Sequence, residues 1–292
     1  MREDLLVRLQ QALPSLRPSE SRVARFVLED ATRASTLTIR EMATAADTST
    51  TSVVRLCRRV GFDGYRDFRP ALAIAAAGED GRRVEFGISN GDIDVSDEPS
   101  TVWRKLAFEE ARTVQETVER LDLKTVERVV AAIDAASVVD VYGSASSGLA
   151  AQDLQQKLHR IGYQVNAWVD PHLALMSAAA LPEHALAVGF SHSGETEEVI
   201  SALSAARGGG AFAVAVTNFP GSPLAQAADA VITTVSKETR FRYAAMSSRM
   251  AQLIIVDVLF MGVAGLHPEA TRASLAKTFA AVEDRRRSSR QR

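Results

Sequence analysis

The sequence reads as two domains of different class. An all-α helix-turn-helix head precedes an α/β domain built on a doubly wound, mostly parallel sheet of five strands. Three observations carry this reading. Residues 38–61 hold two short helical patterns joined by a tight turn, five apolar runs alternate with helical stretches over 138–234, and two strand ends lead directly into loops dense in hydroxyl side chains. At 292 residues, 46% hydrophobic and 24% charged, the chain is long enough for two cores.

At the N-terminus Leu5, Leu6, Leu9 and Leu13 share one helical face, which Pro14 ends. Pro18-Ser19-Glu20 opens a second helix with Val23, Phe26 and Val27 on its apolar side. Thr38-Ile39-Arg40-Glu41 has the form of a capping box and starts a short helix through Ala46. Asp47-Thr48 is the turn, Ser49 or Thr50 caps the next helix, and Gly61 ends it. At about 100° per residue, this helix gathers Val53, Val54, Leu56, Cys57 and Val60 on one side. Thr51, Ser52, Arg55, Arg58 and Arg59 fall on the other. The second helix of a helix-turn-helix lies in the major groove with its first residues at base edges. Ser49, Thr50, Thr51 and Ser52 are therefore the candidate base contacts, with Arg55, Arg58 and Arg59 serving phosphates or guanines. The competing reading is a basic helix that simply faces water.

Residues 1–77 form this head. Residues 78–105 are assigned to a linker, of which 78–100 is rich in Gly, Ser, Asp and Pro with little helical periodicity. A helix carrying Trp103, Leu106, Ala107, Ala111, Val114, Val118 and Leu121 leads into the second domain, 106–284. Strands are expected over 138–142, 164–169, 185–190, 211–217 and 230–234, with helices near 147–161, 172–180, 195–206, 222–228 and 243–264. Such alternation gives a mostly parallel sheet covered on both faces.

The central stretch is Val188 to Val199, V-G-F-S-H-S-G-E-T-E-E-V. An apolar strand stops at a tight loop, and Val199, Ile200 and Leu203 then show helical spacing. Ser191, Ser193 and Thr196 would sit where a helix presents unpaired N–H groups and the positive end of its dipole, a suitable place for a phosphate-sized anion. The plainer reading is a capped helix, with Ser193 at the N-cap and Thr196 beside it. Glu195, Glu197 and Glu198 suit the dipole but repel a phosphate, so they must point away from it or meet another part of the ligand. A second such loop, Gly143-Ser144-Ala145-Ser146-Ser147-Gly148, follows the first strand and offers Ser144, Ser146 and Ser147. As G-x-A-x-x-G, with Asp170 at the end of the next strand, it also fits a dinucleotide fingerprint. Against that reading, Ala145 replaces the middle glycine and the loop at 191–196 would have no role. Two hydroxyl-rich loops at neighbouring strand ends suggest one phosphate gripped from both sides.

Residues 38–69, T-I-R-E-M-A-T-A-A-D-T-S-T-T-S-V-V-R-L-C-R-R-V-G-F-D-G-Y-R-D-F-R, resemble the N-terminal helix-turn-helix of RpiR-type bacterial transcription regulators. Ser49, Val53, Val54, Arg55, Cys57, Arg58, Gly61, Phe62, Gly64 and Tyr65 stand at matching positions, while Thr48, Thr51 and Ser52 depart from the commonest Val, Ala and Thr. Residues 106–284 resemble the SIS (sugar isomerase) domain through the stretches 142–162, 190–200, 222–229 and 246–260. That resemblance implies phosphate contact by Ser191, Ser193 and Thr196 of the S-x-S-G-x-T element, with Ser146 and Ser147 from the first loop. Ala145 departs from the Gly of many members.

Two function classes follow. One is a DNA-binding regulator of sugar metabolism genes whose SIS domain senses a phosphorylated sugar. The other is a phosphosugar isomerase or lyase with an accessory head, for which His192, Glu195, Glu197 or Glu238 could be proposed as general base. The helix-turn-helix favours the regulator, with double-stranded operator DNA and a phosphorylated sugar as partners and no catalytic residue. The five histidines lack metal-ligand spacing, so no metal is expected, and no cofactor is expected either.

Net charge is −2, but residues 1–77 carry +3, residues 284–292 carry +4 and the stretch between carries −9. A mildly basic head on an acidic body fits a polyanion-binding module. The tail 285–292 reads as a disordered extension or a second phosphate contact. No run of 18 apolar residues and no basic leader occurs, so a cytoplasmic protein without membrane contact is expected. Cys57 stands alone within an apolar pattern and reads as a buried thiol. A homodimer or homotetramer is expected because a single small head covers too little DNA to be specific. The long helix at 243–264, with Met246, Met250, Leu253, Ile254, Val258, Leu259 and Met261, is the candidate subunit contact, or else is buried in its own domain.

Overall fold

The computed structural model describes residues 5–85, 88, 93–94, 96–236 and 245–290, without the side chains of 79–85, 282 and 284–290. The chain forms two compact units, Met1–Ala111 and Arg112–Arg292.

Unit 1 is helical: α1 (Leu5–Ala12), α2 (Pro18–Glu29), α3 (Ala31–Thr36), α4 (Ile39–Ala45), α5 (Thr50–Arg59) and α6 (Tyr65–Glu85). Leu5, Leu9, Val23, Val27, Met42, Val53, Leu56, Cys57, Phe68 and Leu72 make its core. The expected capping box is present, with Thr38 Oγ1 accepting from the Glu41 N–H and the Glu41 carboxylate accepting from the Thr38 N–H. Ser49 Oγ accepts from the Ser52 N–H and so opens α5. Asp47 takes a left-handed conformation (φ 45°) in the turn, and Gly61 (φ 88°) follows the end of α5, a backbone that favours glycine. Tyr65 Oη donates to the Leu37 carbonyl at 2.9 Å and anchors α6 to the rest of the head.

The backbone differs from the sequence expectation after Ala77 and at the tail. Helix α6 runs through Gly78 to Glu85, into the stretch read as non-helical, while the helix expected to carry Trp103 is present as α7 (Pro99–Glu119). Two glycines cost a helix only about 1 kcal/mol each relative to alanine, and the alanines of 71–77 with the Glu and Arg residues beyond them are strong helix formers. Residues 285–290, read as a disordered tail, continue the last helix, α14 (Pro268–Arg290), for the same reason: arginine is a good helix former.

Unit 2 adds α8 (Leu123–Ala135), β1 (Val139–Gly143), α9 (Ala145–Arg160), β2 (Val165–Trp168), α10 (Pro171–Ala180), β3 (Leu186–Phe190), α11 (Glu197–Gly208), β4 (Phe212–Thr217), α12 (Pro223–Gln226), β5 (Ala230–Thr233) and α13 (Met246–Leu266). All five strands are parallel, in the order β2-β1-β3-β4-β5. Helices α8, α9 and α13 bury Ile133, Leu154, Leu158, Ile255 and Leu259 against one face. On the other face α10, α11 and α12 contribute Ala174, Leu203 and Leu224. Strands buried on both sides read as continuous apolar runs, which is why the sequence located each within a residue or two. Thr117 of α7 ties down the chain after β5, its Oγ1 both donating to the Val235 carbonyl and accepting from the Val235 N–H at 3.1 Å.

Helix α13 is long and apolar enough by composition to cross a membrane. Here it packs on the sheet instead, with Ala251, Ile255, Val256, Leu259 and Val263 fully buried. Of the seven residues offered as a subunit contact, only Met261 is exposed.

Candidate functional site

Strand order reverses between β1 and β3, and in open α/β sheets the crevice outside the strand ends at that point is where ligands bind. The two strands are paired through Gly143 and Phe190, so Ser144 with the first turn of α9 and the loop 191–196 leave the sheet side by side; the loop expected over 143–148 is already helical from Ala145, which puts Ser146 and Ser147 on that first turn. Both hydroxyl-rich loops therefore converge on the switch point.

The hydroxyls at this edge are not spent on capping. Asp30, Thr38, Ser49, Asp122, Asp170 and Ser222 each close the start of a helix through a side chain. Ser144, at the N-cap of α9, and Thr196, at the N-cap of α11, make no such bond. The cap expected from Ser193 is also absent. Its Oγ accepts from the Glu195 N–H at 3.2 Å, before α11 begins. The first N–H groups of both helices thus receive no side-chain cap, those of Ser147 and Val199 turning to the Ser144 and Thr196 carbonyls, at an edge where the helix dipoles favour an anion. Glu195, Glu197 and Glu198 are exposed, and no hydrogen bond ties their carboxylates to the loop.

The geometry divides the five serines and one threonine by role. Ser191 is buried at 2% exposure, pairs with Thr196 Oγ1 at 2.8 Å and accepts from the Gly194 N–H at 3.1 Å. One of the two paired hydroxyls must give its proton to the other, so the pair has one proton left for a ligand. Ser193 and Thr196 are half-buried, as are Ser144, Ser146 and Ser147. Gln252 of α13, itself 1% exposed, donates from Nε2 to Ser147 Oγ at 3.0 Å. As acceptor in that bond, Ser147 keeps its own proton for a further partner.

Glycines set the shape. Gly143 lies where a Cβ would come within 2.6 Å of the Ser147 carbonyl, so the first turn is tight. Gly194 has φ +65°, and a Cβ there would fall on the side chain of Ser222. Ala145 takes φ 49°, a left-handed conformation that favours the glycine of the related pattern.

Residues not singled out in the sequence complete the edge. Asn218 follows β4, and its Oδ1 accepts from the Ser236 N–H at 2.8 Å. Ser236 Oγ lies 3.3 Å from His192 Nδ1, and His192 meets Phe219 edge-on at 5.7 Å. Asn218, Ser236, Ser248 and Gln252 are all buried, and polar residues closing an apolar strand or interrupting an apolar helix were the available signal. Asp170, the ribose contact of the dinucleotide reading, is occupied with capping: its carboxylate accepts from the His172 and Leu173 N–H groups. Glu238 lies outside the described residues. Among the described residues no cluster of three His, Cys, Asp or Glu could hold a metal ion.

In unit 1, α4 and α5 form the helix-turn-helix. Ser49, Thr50, Thr51, Arg55, Arg58 and Arg59 are exposed. Ser52 is not: it is 6% exposed, with its Oγ 3.1 Å from Ser49 Oγ, because its border position on the helix is turned inward beside the cap. Arg58 Nε donates to the Asp63 carbonyl at 3.4 Å and Arg59 NH2 to the Ser15 carbonyl at 3.1 Å, so both are bound to the head's own backbone. Cys57 is fully buried, which pushes its thiol up to about 12.

A model of the rpiR-family helix-turn-helix domain matches residues 3–79, and a SIS-domain model matches residues 133–262. An HTH-type transcriptional regulator of Caldanaerobacter subterraneus subsp. tengcongensis is 34% identical over 261 residues, 89% of this chain and 90% of the relative. The HTH-type transcriptional regulator YbbH of Bacillus subtilis is 32% identical over 279 residues, 95% of this chain and 96% of its own. Among solved structures, the Vibrio vulnificus NanR protein complexed with ManNAc-6P is 29% identical with a TM-score of 0.60, covering 96% of this chain and 98% of that one. The sugar isomerase domain of an RpiR transcription factor from Sphaerobacter thermophilus shares the fold of the second unit, at 21% identity and a TM-score of 0.56, over 60% of this chain and 97% of that one. The relatives matched along their length are named regulators, which decides between the two function classes against the enzyme.

Proposed function

The chain belongs to the rpiR family of helix-turn-helix transcription regulators carrying a SIS domain, and on that premise we propose that it controls genes of sugar metabolism in answer to a phosphorylated sugar. The observation that carries the effector reading is the pair of uncapped helix starts, Ser144 and Thr196, at the point where strand order reverses. There Ser144, Ser146, Ser147, Ser193 and Thr196 surround the place for the phosphate, and buried Ser191 braces Thr196 and Gly194 from behind. His192, Asn218 and Ser236 supply polar groups beside that place for the sugar. The likeness to NanR, whose structure holds ManNAc-6P, supports the ligand class.

On DNA, the start of α5 presents Ser49, Thr50 and Thr51 to base edges and Arg55 to a guanine or phosphate. Arg58 and Arg59, each holding one carbonyl of the head, turn their remaining N–H donors to phosphates of the duplex. The regulator works as a homodimer in the cytoplasm, reading two half-sites. The effector acts by binding one arrangement of the dimer better than another, since only a difference in affinity can shift DNA binding. Thermal melting against ManNAc-6P and a panel of other sugar phosphates tests the ligand class. Operator titration with and without the ligand that stabilises the protein tests coupling. No stabilisation by any phosphosugar, or equal DNA affinity in both states, would overturn the reading.

A further inference from the structure

We propose that Arg249, on the first turn of α13, is the cation of the effector site and pairs with the phosphate of the bound sugar. This deepens the effector reading above and rests on its placement of the phosphate. On that reading Ser144, Ser146, Ser147, Ser193 and Thr196 offer hydroxyl protons and the starts of α9 and α11 offer dipoles, whereas Glu195, Glu197 and Glu198 bring only negative charge. A phosphate monoester carries about −1.5 to −2 at pH 7, and an arginine fork matches its oxygens two at a time. Charge balance calls for a cation nearby.

Helix α13 brings one there. Gln252 donates to Ser147 on the first turn of α9 at 3.0 Å, and further along the same two helices Asp257 pairs with Lys157. Both helices thus run away from the strand ends together, and the turn of α13 before Gln252 stands beyond the edge of the sheet. Arg249 lies three residues before Gln252, about 4.5 Å nearer the start of the helix and roughly 60° round its axis, and helical side chains lean toward that start. Leu253 and Val256, four and seven positions further along the same stripe, pack into the core between helix and sheet. Arg249 therefore continues the core-facing stripe of α13 past the level where the core ends and the site begins. The polar residues between Met246 and Val256 are Ser247, Ser248, Arg249 and Gln252, all within the first two turns, at the end of the helix that meets the site.

Its surroundings set Arg249 apart from the cations of the neighbouring helices. Arg128 holds the Asp229 carbonyl, Arg207 the Asp229 carboxylate, and Lys157 the carboxylates of Asp153 and Asp257. Lys124 and Arg160 are exposed to water. Arg249 is half-buried, and among the described residues its guanidinium has neither a hydrogen bond nor an ion pair. A cation drawn partly out of water gives up hydration that a partner must make good. An anion held between the starts of α9 and α11 is that partner.

Melting of the full chain, without DNA, against a series of inorganic phosphate concentrations gives the apparent affinity of each variant. Arg249→Gln should melt as the unmodified chain does without phosphate, yet bind phosphate about tenfold or more weakly, the loss of one charge-assisted bond. Arg249→Lys keeps the charge without the fork and should fall between the two. If Arg249→Gln unfolds the protein, Arg249→Met, which keeps the packing of the stem, takes its place. Ser193→Ala with Thr196→Ala, measured alongside, separates this inference from the reading it rests on. Affinity lost in that pair but kept in the folded Arg249 variants would overturn the role of Arg249 and leave the loop. Affinity lost in the Arg249 variants but kept in the pair would support Arg249 and remove the loop. A lysine variant as weak as the glutamine one, or no response of the unmodified chain to phosphate, would also overturn the proposal.

Discussion

Replacing Ser193 and Thr196 together by alanine should abolish the response to the cognate sugar phosphate and leave the unliganded protein nearly as stable as before. The second half follows from what the hydroxyls do now. Thr196 closes no helix, and Ser193 accepts one bond from the Glu195 N–H at a half-open site where water can take its place. The change without ligand should therefore stay within about 1 kcal/mol. With ligand, two hydrogen bonds to a charged group are lost, each contributing about 1.5–3 kcal/mol, so affinity should fall by a factor of at least ~100. At a concentration of 100 Kd the ligand stabilises the unmodified protein by ~2.7 kcal/mol, and after a hundredfold loss by only about 0.4 kcal/mol. For a unit of this size about 1 kcal/mol moves Tm by 2–4 °C, so a shift of roughly 5–10 °C should shrink to about 1 °C. The double variant matters because Thr196→Ala alone frees the Ser191 hydroxyl, its partner at 2.8 Å, to turn toward the anion. Differential scanning calorimetry with ManNAc-6P and the wider panel reads both states. An undiminished shift in the double variant would refute the placement of the phosphate.

In unit 1, Arg55→Ala and Thr51→Ala should weaken operator binding while Tm stays nearly constant, whereas Val53→Asp, at a position 1% exposed, should unfold the head; a filter-binding titration beside a melting curve separates the two outcomes. Gly194→Ala should cost at least about 1–2 kcal/mol from the left-handed backbone, with the added methyl group also displacing Ser222, and it should lose the ligand response as well; calorimetry reads both effects. The head should lose stability as pH rises above about 9. Burial holds the Cys57 thiol and the Tyr65 phenol protonated up to about 12 in the folded state, while the unfolded chain releases those protons earlier, so the unfolded state gains between pH 9 and 12. Chemical unfolding at pH 7, 9 and 10.5 checks the direction.

Sequence alone located most of the backbone and the two loops, since the signals there are local. The capping box at Thr38 and Glu41 and the glycine after α5 act over four residues, and a buried parallel strand is an unbroken apolar run whatever its neighbours. What escaped depends on distant chain. Ser52 lies at the border of its helix, level with Val54 on the opposite flank, and periodicity cannot say which border residue the fold turns inward. Gln252 is one polar residue in an apolar helix until the fold brings it to Ser147, 105 positions away. The same holds for Arg59, whose guanidinium finds the Ser15 carbonyl only after the turn following α1 has come beside the end of α5, 44 positions on. The expectation that 78–85 lacks helix erred differently: two glycines outweighed an alanine-rich run in the pattern, though not in the energetics.

Gly194 has a consequence for anyone wishing to retune this regulator as a biosensor. Its backbone leaves no room for any other residue beside Ser222, and its carbonyl accepts from the Leu224 N–H at 3.0 Å, so the S-x-S-G-x-T loop and the start of α12 are locked into one rigid body. If the loop holds the phosphate as proposed above, a cradle fixed in advance spends none of its affinity on ordering itself and would grip a phosphoryl group without regard to what that group is attached to. On that reading, discrimination between one sugar and another would fall to the polar groups beside the loop, half-buried His192 and buried Asn218 and Ser236, which hydrogen bonds join in a row. Libraries aimed at a new effector should vary His192 and its neighbours and leave the loop as it is.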